Sequence, residues 1–218
     1  MDILKVSRAL LAGTVLVFAS AANAALIDFT DASWGAAIAA GDGTSATLGN
    51  ITLTAGGDNA HLTFNGTGDQ GGCQAGQSSH GLACAGDGIG VNNDEITQSG
   101  SSFTSSDQSI TISFAEAVDV NDLFVLDLFG SERTGEIAII DGNPYAAPVG
   151  NLGIPGGFYA TGYSELGILS VVLSGNTDWF SDYALAAIDV EVSPVPLPGA
   201  MLLFGSALLG MFGFKRFS

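Results

Sequence analysis

Hydrophobic and polar residues alternate along most of the middle of the chain. Residues 109–114 alternate strictly, which sets Ile110, Ile112 and Phe114 on one face, the mark of a strand with one buried side. Residues 51–54 and 60–64 alternate in the same way. A longer run over 118–128 opposes Leu123, Val125 and Asp127 to Phe124, Leu126 and Leu128. Residues 136–140, 158–163 and 166–173 continue the series. The last predicted strand, 183–192, turns Ile188, Val190 and Val192 inward and Asp189 and Glu191 outward. Gly, Asn, Asp and Pro mark turns at 141–144, 153–157 and 174–176. One short helix is predicted over Ala32–Ala40, with Asp31 as its N-cap and Gly41 just past its end. Many short strands and little helix predict an all-β fold, a β-sandwich of jelly-roll type.

Both ends of the chain depart from this pattern. Lys5 and Arg8 precede an uncharged apolar run at 9–21, followed by Ala22-Asn23-Ala24. A basic start, a short apolar stretch and an A-x-A site form the layout of a secretory signal peptide. Segment 1–24 is therefore expected to be a leader cleaved after Ala24, leaving an exported body at 25–194. At the other end, Val195-Pro196-Leu197-Pro198 is stiff and extended because proline fixes φ. Residues 199–214 carry no charge, and as a helix they would reach about 24 Å. A transmembrane helix is predicted over 197–214, and Lys215 and Arg216 beyond it hold the C-terminus in the cytoplasm. The two ends together place the body on the far side of the inner membrane.

The tail resembles the PEP-CTERM sorting signal of Gram-negative bacteria, in which a Val-Pro-x-Pro motif, a short transmembrane helix and a terminal basic cluster follow in order. The matching positions are Val195, Pro196, Leu197 and Pro198, the helix after them, and Lys215 and Arg216. The resemblance covers 195–218 alone, and Leu197 stands where the family most often has Glu. It implies processing by an exosortase, a membrane-embedded enzyme similar to cysteine proteases, and transfer to the cell surface or the exopolysaccharide matrix. The partners it implies are an exosortase-like enzyme and exopolysaccharide, beside signal peptidase from the leader and the membrane from the C-terminal helix.

Charge sharpens this picture. The 218 residues suit one domain with a real core, and their formal net charge is −17. Asp2 is the only acidic residue outside 25–194, and Arg133 is the only basic one inside it, so the body carries a charge near −20. Such a surface excludes electrostatic binding to nucleic acid or anionic headgroups. A hydrophobic content of 47% excludes a charged disordered tail. Arg133 has Glu132 and Glu136 beside it, which suits a local ion pair.

Candidate chemistry is sparse. Residues 65–94 form a Gly-rich stretch containing both cysteines, Cys73 and Cys84. Outside the cytoplasm a lone pair in one loop reads as a disulfide, worth about 3 kcal/mol for a loop of this length. A metal held by Cys73, His80 and Cys84 is the competing reading, short of a fourth ligand and of any standard spacing. There is no G-x-S-x-G elbow, P-loop, dinucleotide fingerprint or H-E-x-x-H motif. His61 and His80 are the only histidines. The body is therefore expected to be non-enzymatic, with no catalytic residue and no required cofactor. Calcium is the one candidate ion, because it takes several oxygen ligands from loops. Asp87, Asn92, Asp94 and Glu95 supply one such group, and Asp182 and Asp189 lie near the last strand. The competing reading is solvated turn acids. Trp179 and Tyr183, beside predicted turns, could stack on sugar rings, against the alternative of core packing. The expected function is a structural or adhesive protein of the cell surface or exopolysaccharide matrix. The alternatives are a calcium-dependent carbohydrate-binding module and a secreted glycan-active hydrolase.

Overall fold

Strand β6, Ser109–Leu126, runs for 18 residues and is the axis of the fold. The computed structural model describes residues 24–65, 81–92, 95–97, 108–129, 136–147, 157–175 and 182–192. Ahead of β6 come β1 (Ala24–Asp28), α1 (Ala32–Ala40), β2 (Ser45–Leu48), β3 (Ile51–Gly56), β4 (Leu62–Phe64) and β5 (Ile89–Val91). After it come β7 (Ile137–Ile140), β8 (Asn143–Ala146), β9 (Tyr159–Ala160), β10 (Glu165–Ser174) and β11 (Ala184–Val192). These strands form one sheet in the order β4-β5-β11-β6-β10-β7-β8, with β1 added to β11, β3 and β9 to β6, and β2 to β3. Every pairing is antiparallel. Among the described residues the fold is mostly β, with one helix.

β6 changes partner along its length. Its first half pairs with β3, from Gly56↔Ser109 to Ile51↔Phe114. Its second half pairs with β11, from Val192↔Val118 to Ala184↔Leu126. β10 and then β9 occupy its other edge. The sequence reads as two strands here, 109–114 and 118–128. They are one because Ala115-Glu116-Ala117 offers no turn residue. The strand ends at Leu126 rather than 128, because Asp127 takes φ 58°.

Alternation along β6 is interrupted once. Ile110, Ile112, Phe114, Val118 and Val120 are buried, and the buried set then changes phase to Leu123 and Val125. Asp122 faces Asp189 and Val120 faces Val190, so Asn121 is the extra residue of a bulge. Without it, Leu123 and Val125 would point to the other face.

β11 is buried on both faces from Ala184 to Ile188. Leu185, Ile188 and Val190 join Leu53, Ile112, Leu123 and Val125 in the main core. Ala184, Ala186 and Ala187 face the other way and pack with Leu82, Leu126, Phe124 and Phe158. Small side chains on that face let a loop lie close over the sheet. Val192, expected inward, is half exposed at the strand's end.

Helix α1 follows its sequence signals. Asp31 Oδ1 accepts the Ser33 N–H at 2.8 Å and the Ser33 hydroxyl at 2.5 Å. These bonds, the hydroxyl's first, hold the Asp31 carboxyl below its usual range. Trp34 and Ile38, one turn apart, are buried, and the Trp34 ring sits 5.1 Å from that of Phe29. At 141–144 only Asp141 and Gly142 turn. Both have positive φ, 47° and 75°, as a two-residue hairpin requires. Asn143 and Pro144 belong to β8, the last strand of the sheet order, where a missing N–H does little harm. β1 and β2 appear where no strand was expected, since neither alternates clearly.

Among the described residues no helix is long and apolar enough to cross a membrane. The leader up to residue 23 and the expected transmembrane helix at 197–214 lie outside the described residues.

Candidate functional site

The start of β1 and the end of β11 form the first notable feature. Ala24 faces Glu191, Ala25 faces Val190 and Leu26 faces Asp189. The first and last strands of the described residues are therefore neighbours on one sheet. Of the expected processing residues, Ala24 is the first residue of β1 and is exposed. Ala22, Val195, Pro196, Leu197, Pro198, Lys215 and Arg216 lie outside the described residues.

The described part of the cysteine-bearing loop, 81–88, is tied to the end of β1. Asp28 Oδ1 accepts the N–H of Thr30 at 2.8 Å and its hydroxyl at 2.6 Å. Asp28 Oδ2 accepts the Ala83 N–H at 2.5 Å, and Thr30 Oγ1 accepts the Cys84 N–H at 2.9 Å. The Thr30 carbonyl takes the N–H groups of Ala85 and Gly86 at 3.0 and 3.1 Å. One buried threonine and one aspartate thus order four consecutive loop amides. Cys84 has φ 51° and is not a free thiol. Cys73 and His80 lie outside the described residues.

The oxygen ligands expected for calcium fall in two parts of the chain. Asp87 is buried, with its N–H on the Asn65 carbonyl at 3.0 Å. Asn92 Oδ1 accepts the His61 N–H at 2.9 Å, an internal use of that oxygen. Glu95 is half-buried, and Asp94 lies outside the described residues. Asp182 precedes β11 while Asp189 sits well along it, roughly 23 Å apart at the rise of a strand. Among the described residues no group of three or more His, Cys, Asp or Glu is placed to hold a metal ion.

Tyr183 takes the core-packing alternative rather than the sugar-stacking one. Its side chain is fully buried, and its hydroxyl donates towards the carbonyls of Ser174 at 2.7 Å and Ile139 at 3.1 Å. A ring enclosed in this way presents no face to a sugar. It ties the paired end of β7 and β10 to the core instead. Trp179 lies outside the described residues.

Periodicity alone missed a row of acids. Asp122 faces Asp189 and Asp119 faces Glu191 across β6 and β11. Like charges directly opposite each other destabilise a sheet. Part of this row is used structurally. Asp119 Oδ1 accepts the Gly167 N–H at 2.7 Å. Asp122 Oδ1 accepts those of Leu123 and Gly162, each at 2.8 Å. Alternation at 188–192 gave one half of the row. The other half needed the bulge at Asn121, which moves Asp122 into register with Asp189.

Beside β1 and β11 runs an apolar groove of about 120 Å³, lined by Ile27, Ile51, Phe114, Val118, Val190 and Val192 among others. No protein-family model, no curated protein and no solved structure matches this chain.

Proposed function

We propose that this chain is exported across the inner membrane and acts, without catalysis, as a structural or adhesive protein of the cell surface or exopolysaccharide matrix. Residues 1–24 direct export and are removed. Residues 195–218 hold the precursor in the membrane until an exosortase-like enzyme processes the Val195–Pro198 motif. The observation that carries this reading is the pairing of Ala24 with Glu191. It sets the leader junction beside the strand that runs into the tail, so that one membrane can hold both segments under a single body.

The body is a β-sandwich of jelly-roll type, in which the sheet folds over itself along β6. The exchange of β3 for β11 along that strand, and a core drawing on residues from both halves, support this architecture. Cys84 pairs with Cys73, the other cysteine of the chain. The anchoring of 81–88 by Asp28 and Thr30 supports a loop closed by such a bridge.

Deletion of 195–218 tests the reading. The truncated chain is expected in the periplasm or medium, whereas the full chain fractionates with the envelope. Intact mass of the surface-extracted protein should begin at Ala25. Reporter fusions within the body that are active only in the cytoplasm would overturn the proposal.

A further inference from the structure

The new N-terminus left by leader removal has a definite place in the fold. Hydrolysis of the Ala24–Ala25 bond takes up one water. It leaves a carboxylate on Ala24, which departs with the leader, and an ammonium on Ala25. Ala25 remains opposite Val190, and the position vacated by Ala24 is the one facing Glu191. The ammonium is therefore formed one residue along the ladder from Glu191. Asp189 faces Leu26 on the same pair of strands. One strand further on, Asp119 faces Glu191 and Asp122 faces Asp189. Adjacent strands are about 4.8 Å apart, so the β6 acids lie about 10 Å from the β1 backbone, within roughly one screening length at 0.1 M salt. No lysine or arginine occurs among the described residues, and β1 contributes no charge of its own before Asp28.

We infer that the α-ammonium created on Ala25 by leader cleavage is a counter-charge for the carboxylate row of β6 and β11, so that maturation itself tightens the β1–β11 seam. This rests on the export reading above. Cleavage also removes the last rung of the ladder, Ala24↔Glu191, an effect that salt does not screen. Salt dependence therefore separates the two contributions.

The experiment uses the full chain in detergent micelles, before and after treatment with purified signal peptidase, with melting followed by circular dichroism. Between 1 M and 20 mM NaCl, the cleaved form is expected to gain about 2 °C over the uncleaved form. In the Glu191→Gln chain that gain should fall by half or more. Equal salt dependence of the two forms, or a gain unchanged by Glu191→Gln, would overturn the inference alone. Failure to cut at Ala24–Ala25 in denatured as well as folded chain would overturn the leader assignment, and this inference with it.

Discussion

Gly86 lies so close to Phe64 that a Cβ on it would stand 2.5 Å from the ring's Cζ. The same Cβ would meet the Asn65 carbonyl oxygen at 2.6 Å, a backbone atom that cannot rotate away. Phe64 is also met by α1, where a Cβ on Gly35 would stand 2.8 Å from Cδ1. The ring thus fills the gap between the helix and the cysteine-bearing loop. Gly86→Ala is expected to cost about 2–3 kcal/mol through overpacking, measured by urea unfolding. Gly35→Ala tests the sign of the effect. Helix propensity alone favours alanine by about 1 kcal/mol, whereas the contact with Phe64 predicts a net loss. A more stable Gly35→Ala chain would show that the ring moves freely.

Alkaline stability follows from two tyrosines. Burial, and then the hydrogen bond to Asp141 at 2.5 Å, push the Tyr163 hydroxyl well above its usual pKa. Burial does the same to Tyr183, partly offset by its backbone partners. In the unfolded chain both titrate near the ordinary value of about 10. Above that pH the unfolded state releases protons that the folded state retains, so stability falls as pH rises. Below it, these groups contribute no pH dependence. Urea midpoints should therefore be insensitive to these tyrosines between pH 7 and 9 and decline beyond pH 10. Tyr183→Phe should lower stability at neutral pH by about 1 kcal/mol while flattening the alkaline decline. An equally steep decline in the variant would reject this account.

The bulge at Asn121 offers a register test. Deleting Asn121 restores unbroken alternation to β6, which can then keep either Val118 and Val120 or Leu123 and Val125 in the core, but not both pairs. All four are buried in the native chain. Exposing even two such side chains costs about 3–6 kcal/mol, a large share of the stability of an ordinary domain. The deletion is expected to abolish the cooperative melt. Asn121→Ser, which keeps the extra residue, should remain within about 0.5 kcal/mol of the parent. A folded deletion chain with the parent's midpoint would show that this register is not fixed by the core.

These cases also mark what could be read from sequence. Helix α1 was legible because its signals are local: Asp31 caps it, and Gly41 stands just past its end. The buried face of β6 was legible for the same reason, up to Asn121. Pairing between distant segments was not. Nothing near Asp119 or Asp122 announces that Glu191 and Asp189 will stand opposite them, because that register is set by a bulge and by core packing. β1 was missed because Ala24 to Asp28 is short and does not alternate. Tyr183 stayed open between two readings because a tyrosine beside a turn looks the same in sequence whether its ring faces solvent or, as here, the core.

The proposed Cys73–Cys84 bridge makes the last prediction, because its effect must travel through identified hydrogen bonds. Closing the 73–84 loop is worth about 3 kcal/mol by restricting the unfolded chain. Cys84→Ser should lose stability of that order, and reductant should lower the melting temperature of the parent but not of the variant. Thr30→Val removes the hydroxyl that accepts the Cys84 N–H while leaving both sulfurs in place. It should destabilise by about 1–3 kcal/mol, the cost of stranding a donor in a partly buried site. The bridge should survive that substitution, with no titratable thiol in the unreduced chain. If reductant leaves the parent's melting temperature unchanged, or if two thiols titrate in the native protein, the bridge is absent and Asp28 and Thr30 alone hold the loop against the sheet.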